Sequence, residues 1–294
     1  MQNPQMLTTF SKTSKALRIR EFSDSHLGHN KTPTSHVLKV ITEMLPNNDV
    51  TEQLDMIVIA GDLFDRDLQL YQDEVYEIKL WMASFLKMVK QRNIIVRVLE
   101  GTPRHDWKQS RWLIYLNEML GIDANIKYFD TVSIEYIPEL DINVLYIPDE
   151  FKPTTLETQQ IVCETLAANK LTQVDFTVMH GAFPHQLPKA AHHRAQLHDP
   201  DFYLSITKYF IFVGHIHQYS QYERILSAGS TDRYCHNDEK AKGMIEVYVR
   251  RDCDQHDITF IENKLASKFV TINFQDIDEE NGSQRNGASA VPNR

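Results

Sequence analysis

The stretch Tyr209-Phe210-Ile211-Phe212-Val213-Gly214-His215-Ile216-His217 constrains the fold more than any other part of the chain. An unbroken apolar run without alternation describes a strand buried on both faces. In α/β sheets the carboxyl end of such a strand is where ligands bind. Gly214 lets the backbone turn, or approach a neighbour closely, without a Cβ in the way. In an extended backbone His215 and His217 point the same way, so both imidazoles face one site, or two adjacent metals if the chain bends between them. Alone, the pair reads equally well as ordinary strand-end histidines, and the weight comes from further clusters of the same form.

The chain in order supplies them. Leu17 to Phe22 alternates as a strand and runs into Ser23-Asp24-Ser25-His26-Leu27-Gly28. Thr34 or Ser35 is placed to cap a helix whose Val37, Val40, Ile41, Met44 and Leu45 follow a 3.6-residue period up to Pro46. Leu54 to Ala60 is a short buried strand that delivers Gly61-Asp62-Leu63-Phe64-Asp65. An amphipathic helix over Gln72 to Gln91 precedes a third strand, Asn93 to Leu99, and the loop Glu100-Gly101-Thr102-Pro103-Arg104-His105-Asp106. A helix through Trp112, Leu113, Leu116 and Leu120 follows. Strand, polar loop and helix in repetition are the signature of an α/β sheet. The runs Ile126 to Ile137 and Ile142 to Ile147 read as a hairpin, and a helix over Thr155 to Asn169 leads to the strand Val174 to Met179, which ends in His180-Gly181. A polar, histidine-rich connection from Pro184 to Pro200 returns to the opening stretch. Gln221 to Leu226, Gly243 to Arg250 and Ile258 to Phe274 carry strand character. The expected organisation is a partly disordered segment over 1–16, one domain over 17–274, and a disordered tail over 275–294, rich in Asn, Gly, Ser and acids.

The collected strand ends hold Asp24, His26, Asp62, His105, His180, His215 and His217, all nitrogen or oxygen donors with no thiolate. Such a set suits Mn²⁺, Fe, Zn²⁺ or Ni²⁺ rather than Ca²⁺ or a thiolate-bound metal. Six or more donors exceed the needs of one catalytic ion, so two divalent ions are the economical reading, clamping a phosphoryl group, with one carboxylate as the bridge. Three widely spaced cysteines, Cys163, Cys235 and Cys253, suggest neither a disulfide framework nor a zinc ribbon, so a reducing compartment is expected. No run is long enough to span a membrane, and Met1 to Ser14 lacks the apolar core of a signal peptide, which points to the cytoplasm. The formal charge of −9 repels nucleic acid at long range, so a DNA partner must be met by local basic groups or bound cations.

The ordered set Asp24-x-His26, Gly61-Asp62-x-x-Asp65, Gly101 to His105-Asp106, His180-Gly181 and Gly214-His215-x-His217 resembles the calcineurin-like metallophosphoesterases, over about residues 18 to 250. Within them the chain looks most like SbcD-type nuclease subunits of DNA repair and recombination and their bacteriophage counterparts. The grounds are Phe22 to Gly28, Gly61 to Asp65, Ala228-Gly229-Ser230 and Lys242-Gly243. The resemblance implies a four-layer α-β-β-α sandwich of two mixed sheets, with Mn²⁺ the leading metal and Mg²⁺ among the others. It implies that Asp24, His26 and His217 hold one ion, that Asp62 bridges, and that His180 and His215 hold the second. His105 would protonate or stabilise the leaving oxygen, with Asp106 orienting it. Asp65 stands where archaeal and eukaryotic relatives carry histidine.

The resemblance further implies exonuclease or endonuclease action on DNA, an SbcC-like ATPase partner, a homodimer, and a location in the cytoplasm, a host's if the protein is a phage's. A small-molecule or cyclic-nucleotide phosphoesterase, or a catalytically weakened binding scaffold, are the other readings. One departure bears on the last of these. The family's GNHD box supplies an Asn ligand to the second ion, and Gly101 to Asp106 is longer and has no Asn. Either Thr102, a backbone carbonyl or a water replaces it, or the second ion binds more weakly. Arg104 is a candidate for neutralising a substrate phosphate.

Other residues receive plainer expectations. His29 and His36 are expected at the surface, and His185, His192, His193 and His198 in an exposed loop. Cys235 and His236 are read as incidental neighbours. Lys87, Lys90, Arg92 and Arg97 are expected to form a solvated helix face and strand edge.

Overall fold

The computed structural model describes residues 16–46, 53–149, 152, 154–236, 238–253 and 255–270. The expected N-terminal segment, apart from Ala16, and the expected tail lie outside the described residues. β1 (Ala16–Phe22) leads through α1 (Thr34–Met44), β2 (Met56–Ala60), α2 (Asp73–Gln91), β3 (Ile95–Leu99), the one-turn α3 (Pro103–Asp106) and α4 (Trp112–Met119) to β4 (Ile126–Phe129). Next come β5 (Ser133–Ile137), β6 (Ile142–Ile147), α5 (Thr155–Ala168), β7 (Val174–His180), α6 (Pro200–Ile206) and β8 (Thr207–Gly214). Last are β9 (Ser220–Tyr222), β10 (Ile225–Ser227), β11 (Gly243–Arg250) and β12 (Asp257–Glu262).

The strands form two six-stranded sheets, ordered β12-β11-β1-β2-β3-β4 and β5-β6-β7-β8-β10-β9. β1 to β4 run parallel, with β11 antiparallel to β1 and β12 antiparallel to β11 at one edge. β6, β7, β8 and β10 run parallel, with β5 and β9 antiparallel at the two edges. Both sheets are therefore mixed.

Three apolar layers explain why β2 and β8 read as continuous hydrophobic runs. Ile19, Val58, Tyr146, Phe176, Phe212 and Val247 pack between the sheets. Ile57, Ile59 and Val96 on the first sheet's outer face meet Ile41 of α1, Met82 of α2 and Leu113 of α4. Leu145, Ile211 and Val213 on the second sheet's outer face meet Val162 of α5 and Tyr203 of α6. Each parallel strand is thus covered on both sides, which removes the alternation a half-buried strand would show. The result is the α-β-β-α sandwich that the resemblance implies.

The structure departs from the sequence reading at several points. Pro33 precedes α1 and no side chain caps it; the Thr34 hydroxyl accepts instead from the Gly28 amide at 3.2 Å. The run Ile126 to Ile137 is two strands in different sheets, so only β5 and β6 form the hairpin. Between them Asp130 pairs with Lys108 and Arg111, and the chain crosses from one sheet to the other there. Within the Pro184 to Pro200 connection, Asp199 caps α6 by accepting from the Asp201 amide. Arg97 is not at a solvated edge. It is 2% exposed and reaches across the sheets to Glu135 with two hydrogen bonds of 2.6 and 2.9 Å. Among the described residues no helix is long and apolar enough to cross a membrane.

Candidate metal centre

The carboxyl ends of β1, β2, β3, β7 and β8 meet on one side of the sandwich and carry the polar residues that the sequence singled out. The loops after β1 and β2 continue side by side, because the Asp24 amide donates to the Gly61 carbonyl at 3.0 Å and the His26 amide to that of Asp62 at 3.1 Å. Asp24, His26, Asp62 and His215 have φ of 50°, 47°, 50° and 104°. Side chains rarely take that region, and each such residue costs about 1–3 kcal/mol unless its surroundings hold it there. They do. The Asp24 carboxylate accepts from the His215 amide at 3.0 Å and from the Ser23 hydroxyl at 2.5 Å. Two glycines permit the close approach: a Cβ on Gly101 would lie 2.1 Å from the Asp62 nitrogen, and one on Gly214 2.1 Å from the Ala60 oxygen.

Three groups of donors result: Asp24 with His26 and His217, His26 with Asp62 and His105, and Asp62 with His180 and His215. Within each, one donor atom per residue lies within 4.8 Å of the others. His26 Nε2 and His217 Nε2 are 3.0 Å apart, and His217 Nε2 lies 3.8 Å from Asp24 Oδ1. His180 Nε2 is 3.4 Å from Asp62 Oδ1. Donors about 2.1 Å from a shared ion sit about 3.0 Å apart at a right angle and about 3.4 Å at a tetrahedral one. The residues present therefore fit divalent cations. His180 Nδ1 faces the Ala60 carbonyl at 2.8 Å, which places its proton there and frees Nε2 for a metal. Asp65 Oδ1 lies 3.2 Å from His26 Nδ1, so its charge favours the proton on that side of the ring. The left-handed backbone at His215 is the bend that sends His215 and His217 to different groups.

Burial and charge oppose each other at the centre. Burial alone would raise the Asp62 pKa, yet the neighbouring His180, His105 and His26 hold it well below the ordinary carboxylate value. Burial likewise disfavours a charged His180, but the Asp62 carboxylate overrides this and pushes it up to about 10. Asp62 and His180 thus each favour the other's charged form. His105 Nδ1 lies 2.8 Å from Asp62 Oδ2, and this hydrogen bond raises the His105 pKa.

Asp106 does not take the role expected of it. Its Oδ1 accepts from the Phe64 amide and its Oδ2 from those of Asp62 and Gly101, so its hydrogen bonds tie the β2 and β3 loops together rather than orient His105. Arg104 is exposed on α3 beside His105. His29 and His36 join none of the three groups, and neither do the histidines of the 184–200 connection. His198 is not in an exposed loop: it is 9% exposed and its Nδ1 shares a hydrogen bond with the Tyr203 hydroxyl at 3.2 Å. His192 Nε2 bonds the carbonyls of Pro184 and Leu187.

Lys242 is a contributor that periodicity did not mark. It is 1% exposed, pairs with Asp238, and donates to the His217 carbonyl at 2.6 Å, which fixes the turn carrying that imidazole. A lysine beside a glycine at the start of a strand gives no sign of burial, since the partner that neutralises it lies in the preceding loop. Tyr234, buried with its hydroxyl on the Ser25 carbonyl, packs edge-to-face with His26, the ring centroids 5.2 Å apart.

No family model and no curated protein matches this chain. Among solved structures, one aligns with 85% of this chain and 100% of its own at 11% identity and a TM-score of 0.49. Another, the protein TT1561 of Thermus thermophilus, aligns over 83% of this chain and 99% of its own at 9% identity and a TM-score of 0.44.

Proposed function

We propose that this chain is a metal-dependent phosphodiesterase acting on DNA, an exonuclease or endonuclease of SbcD type that uses two divalent ions, Mn²⁺ foremost. The observation that supports it most is the place of Asp62, a buried carboxylate shared between the group containing His26 and the group containing His180 and His215. Asp24, His26 and His217 would hold one ion, and His180 and His215 the other, with Asp62 between them. When bound, such a pair polarises phosphoryl oxygens and lowers the pKa of an attacking water.

The chain's own groups do the rest. His105 turns Nδ1 to Asp62, which leaves Nε2 to give a proton to the leaving oxygen, and that hydrogen bond raises its pKa and so favours the protonated form. Arg104, exposed one residue away, is the cation available to a flanking phosphate. Asp106 keeps the Asp62 and Gly101 amides fixed, so the bridging carboxylate and the His105 loop hold one geometry. An SbcC-like ATPase and a second copy of the chain are the partners that the sequence resemblance suggests, and the cytoplasm the compartment.

Hydrolysis of bis-p-nitrophenyl phosphate with Mn²⁺ tests the chemistry. The wild type should turn over, and Asp62→Asn should lose at least a hundredfold in rate. Equal rates in both proteins would remove the enzyme reading and leave a binding scaffold. Labelled duplex DNA set against cyclic nucleotides then separates a nuclease from a small-molecule phosphoesterase.

A further inference from the structure

We propose that the Thr102 hydroxyl is itself a ligand of the second ion, completing with Asp62, His180 and His215 a site of two oxygen and two nitrogen donors. This rests on the two-ion reading above and assigns the residue that closes its second half.

Thr102 Oγ1 lies 3.2 Å from Asp62 Oδ2 and 3.4 Å from His180 Nε2. These are separations expected of donors about 2.1 Å from one cation; His180 Nε2 is likewise 3.4 Å from the other oxygen of that carboxylate, Asp62 Oδ1. The rest of the residue is already committed. Its amide donates to Asp62 Oδ1 at 2.5 Å, and its carbonyl accepts from the His105 and Asp106 amides at 2.8 and 3.0 Å. The Thr102 carbonyl is therefore spent on the first turn of α3, and the hydroxyl, whose proton goes to Asp62 Oδ2, keeps its lone pairs for the site. The sequence explains why it stays there. Pro103 bars Thr102 from the helical region, and the observed φ of −60° and ψ of 120° are extended. A β-branched side chain on that fixed backbone has few rotamers to choose from. A neutral hydroxyl adds no charge to the site and favours hard cations such as Mn²⁺ and Mg²⁺ over softer ones.

Calorimetric Mn²⁺ titration of the purified full chain, checked by the electron paramagnetic resonance signal of coupled Mn²⁺ pairs, reads this without recourse to activity. The wild type should take two ions. Thr102→Val, which keeps the shape and removes the oxygen, should weaken the second by at least tenfold, leave the first unchanged, and lose the coupled signal. Thr102→Ser should restore both. Thr102→Ala removes the same oxygen with less bulk and decides the matter if the valine variant misfolds. Two ions bound by Thr102→Val or Thr102→Ala as tightly as by wild type would overturn the assignment while leaving the two-ion reading intact. A wild type that takes only one ion would overturn that reading, and the assignment with it.

Discussion

At the scale of single residues, Asp62 shows how one carboxylate comes to serve two groups. Its position at φ 50°, its burial, and the histidines around it are each unfavourable or uninformative alone. Together they make a fixed anion that cations or protonated imidazoles must neutralise. His198 is the opposite case, a buried imidazole kept neutral: desolvation pushes its pKa down to about 4 from the ordinary 6.5. The unfolded chain binds a proton there below about pH 6.5 and the folded chain does not until about pH 4. The unfolded state therefore holds more protons in that window, and stability falls as pH falls through it. The full effect amounts to about 3 kcal/mol. Urea denaturation at pH 7.5 and 4.5 should show that loss in the wild type and a smaller one in His198→Gln, whereas equal losses would mean that His198 does not carry the effect.

At the scale of elements, the two sheets are fastened by a polar contact as well as by apolar packing. Arg97 of β3 and Glu135 of β5 are paired across the sandwich, with the Tyr146 hydroxyl donating to the same carboxylate. Removing one partner strands a buried charge, so Glu135→Ala should cost about 3–5 kcal/mol. Replacing both, as Arg97→Met with Glu135→Leu, should cost less than half of that, measured by denaturant midpoint. Equal losses in the single and double variants would show the pair to be incidental. This contact was illegible in the sequence, where an arginine amid Ile95, Val96 and Val98 gives no sign of a partner 38 residues away. The strands themselves were legible, because β2, β3, β7 and β8 are apolar runs ending in glycine, histidine or acid. The break inside Ile126 to Ile137 was not, since both pieces are rich in β-formers and only the second-sheet partners of β5 separate them. Nor is the start of α1 legible, because a threonine at a helix start looks like a cap whether or not its hydroxyl serves another loop.

At the scale of the whole molecule, donors spread from Asp24 to His217 converge because parallel strands of two packed sheets end on the same side. The residue types and their order marked the site in the sequence. The bend at His215, the Lys242 support and the task of Asp106 needed the fold, since each depends on a backbone dihedral or a neighbour that spacing does not encode. On the proposed reading, a net charge of −9 leaves the attraction of DNA to bound cations or local basic groups. Duplex DNA should accordingly bind at least tenfold more weakly after chelation with EDTA, read by fluorescence anisotropy, and undiminished binding would place the DNA contact elsewhere. The most direct test of the account is anomalous diffraction at the manganese edge from crystals grown with Mn²⁺. Two peaks about 3.5–4 Å apart on either side of Asp62 are predicted. A map with no peak at Asp62, or with manganese bound only away from Asp24, His26, His180, His215 and His217, would contradict it.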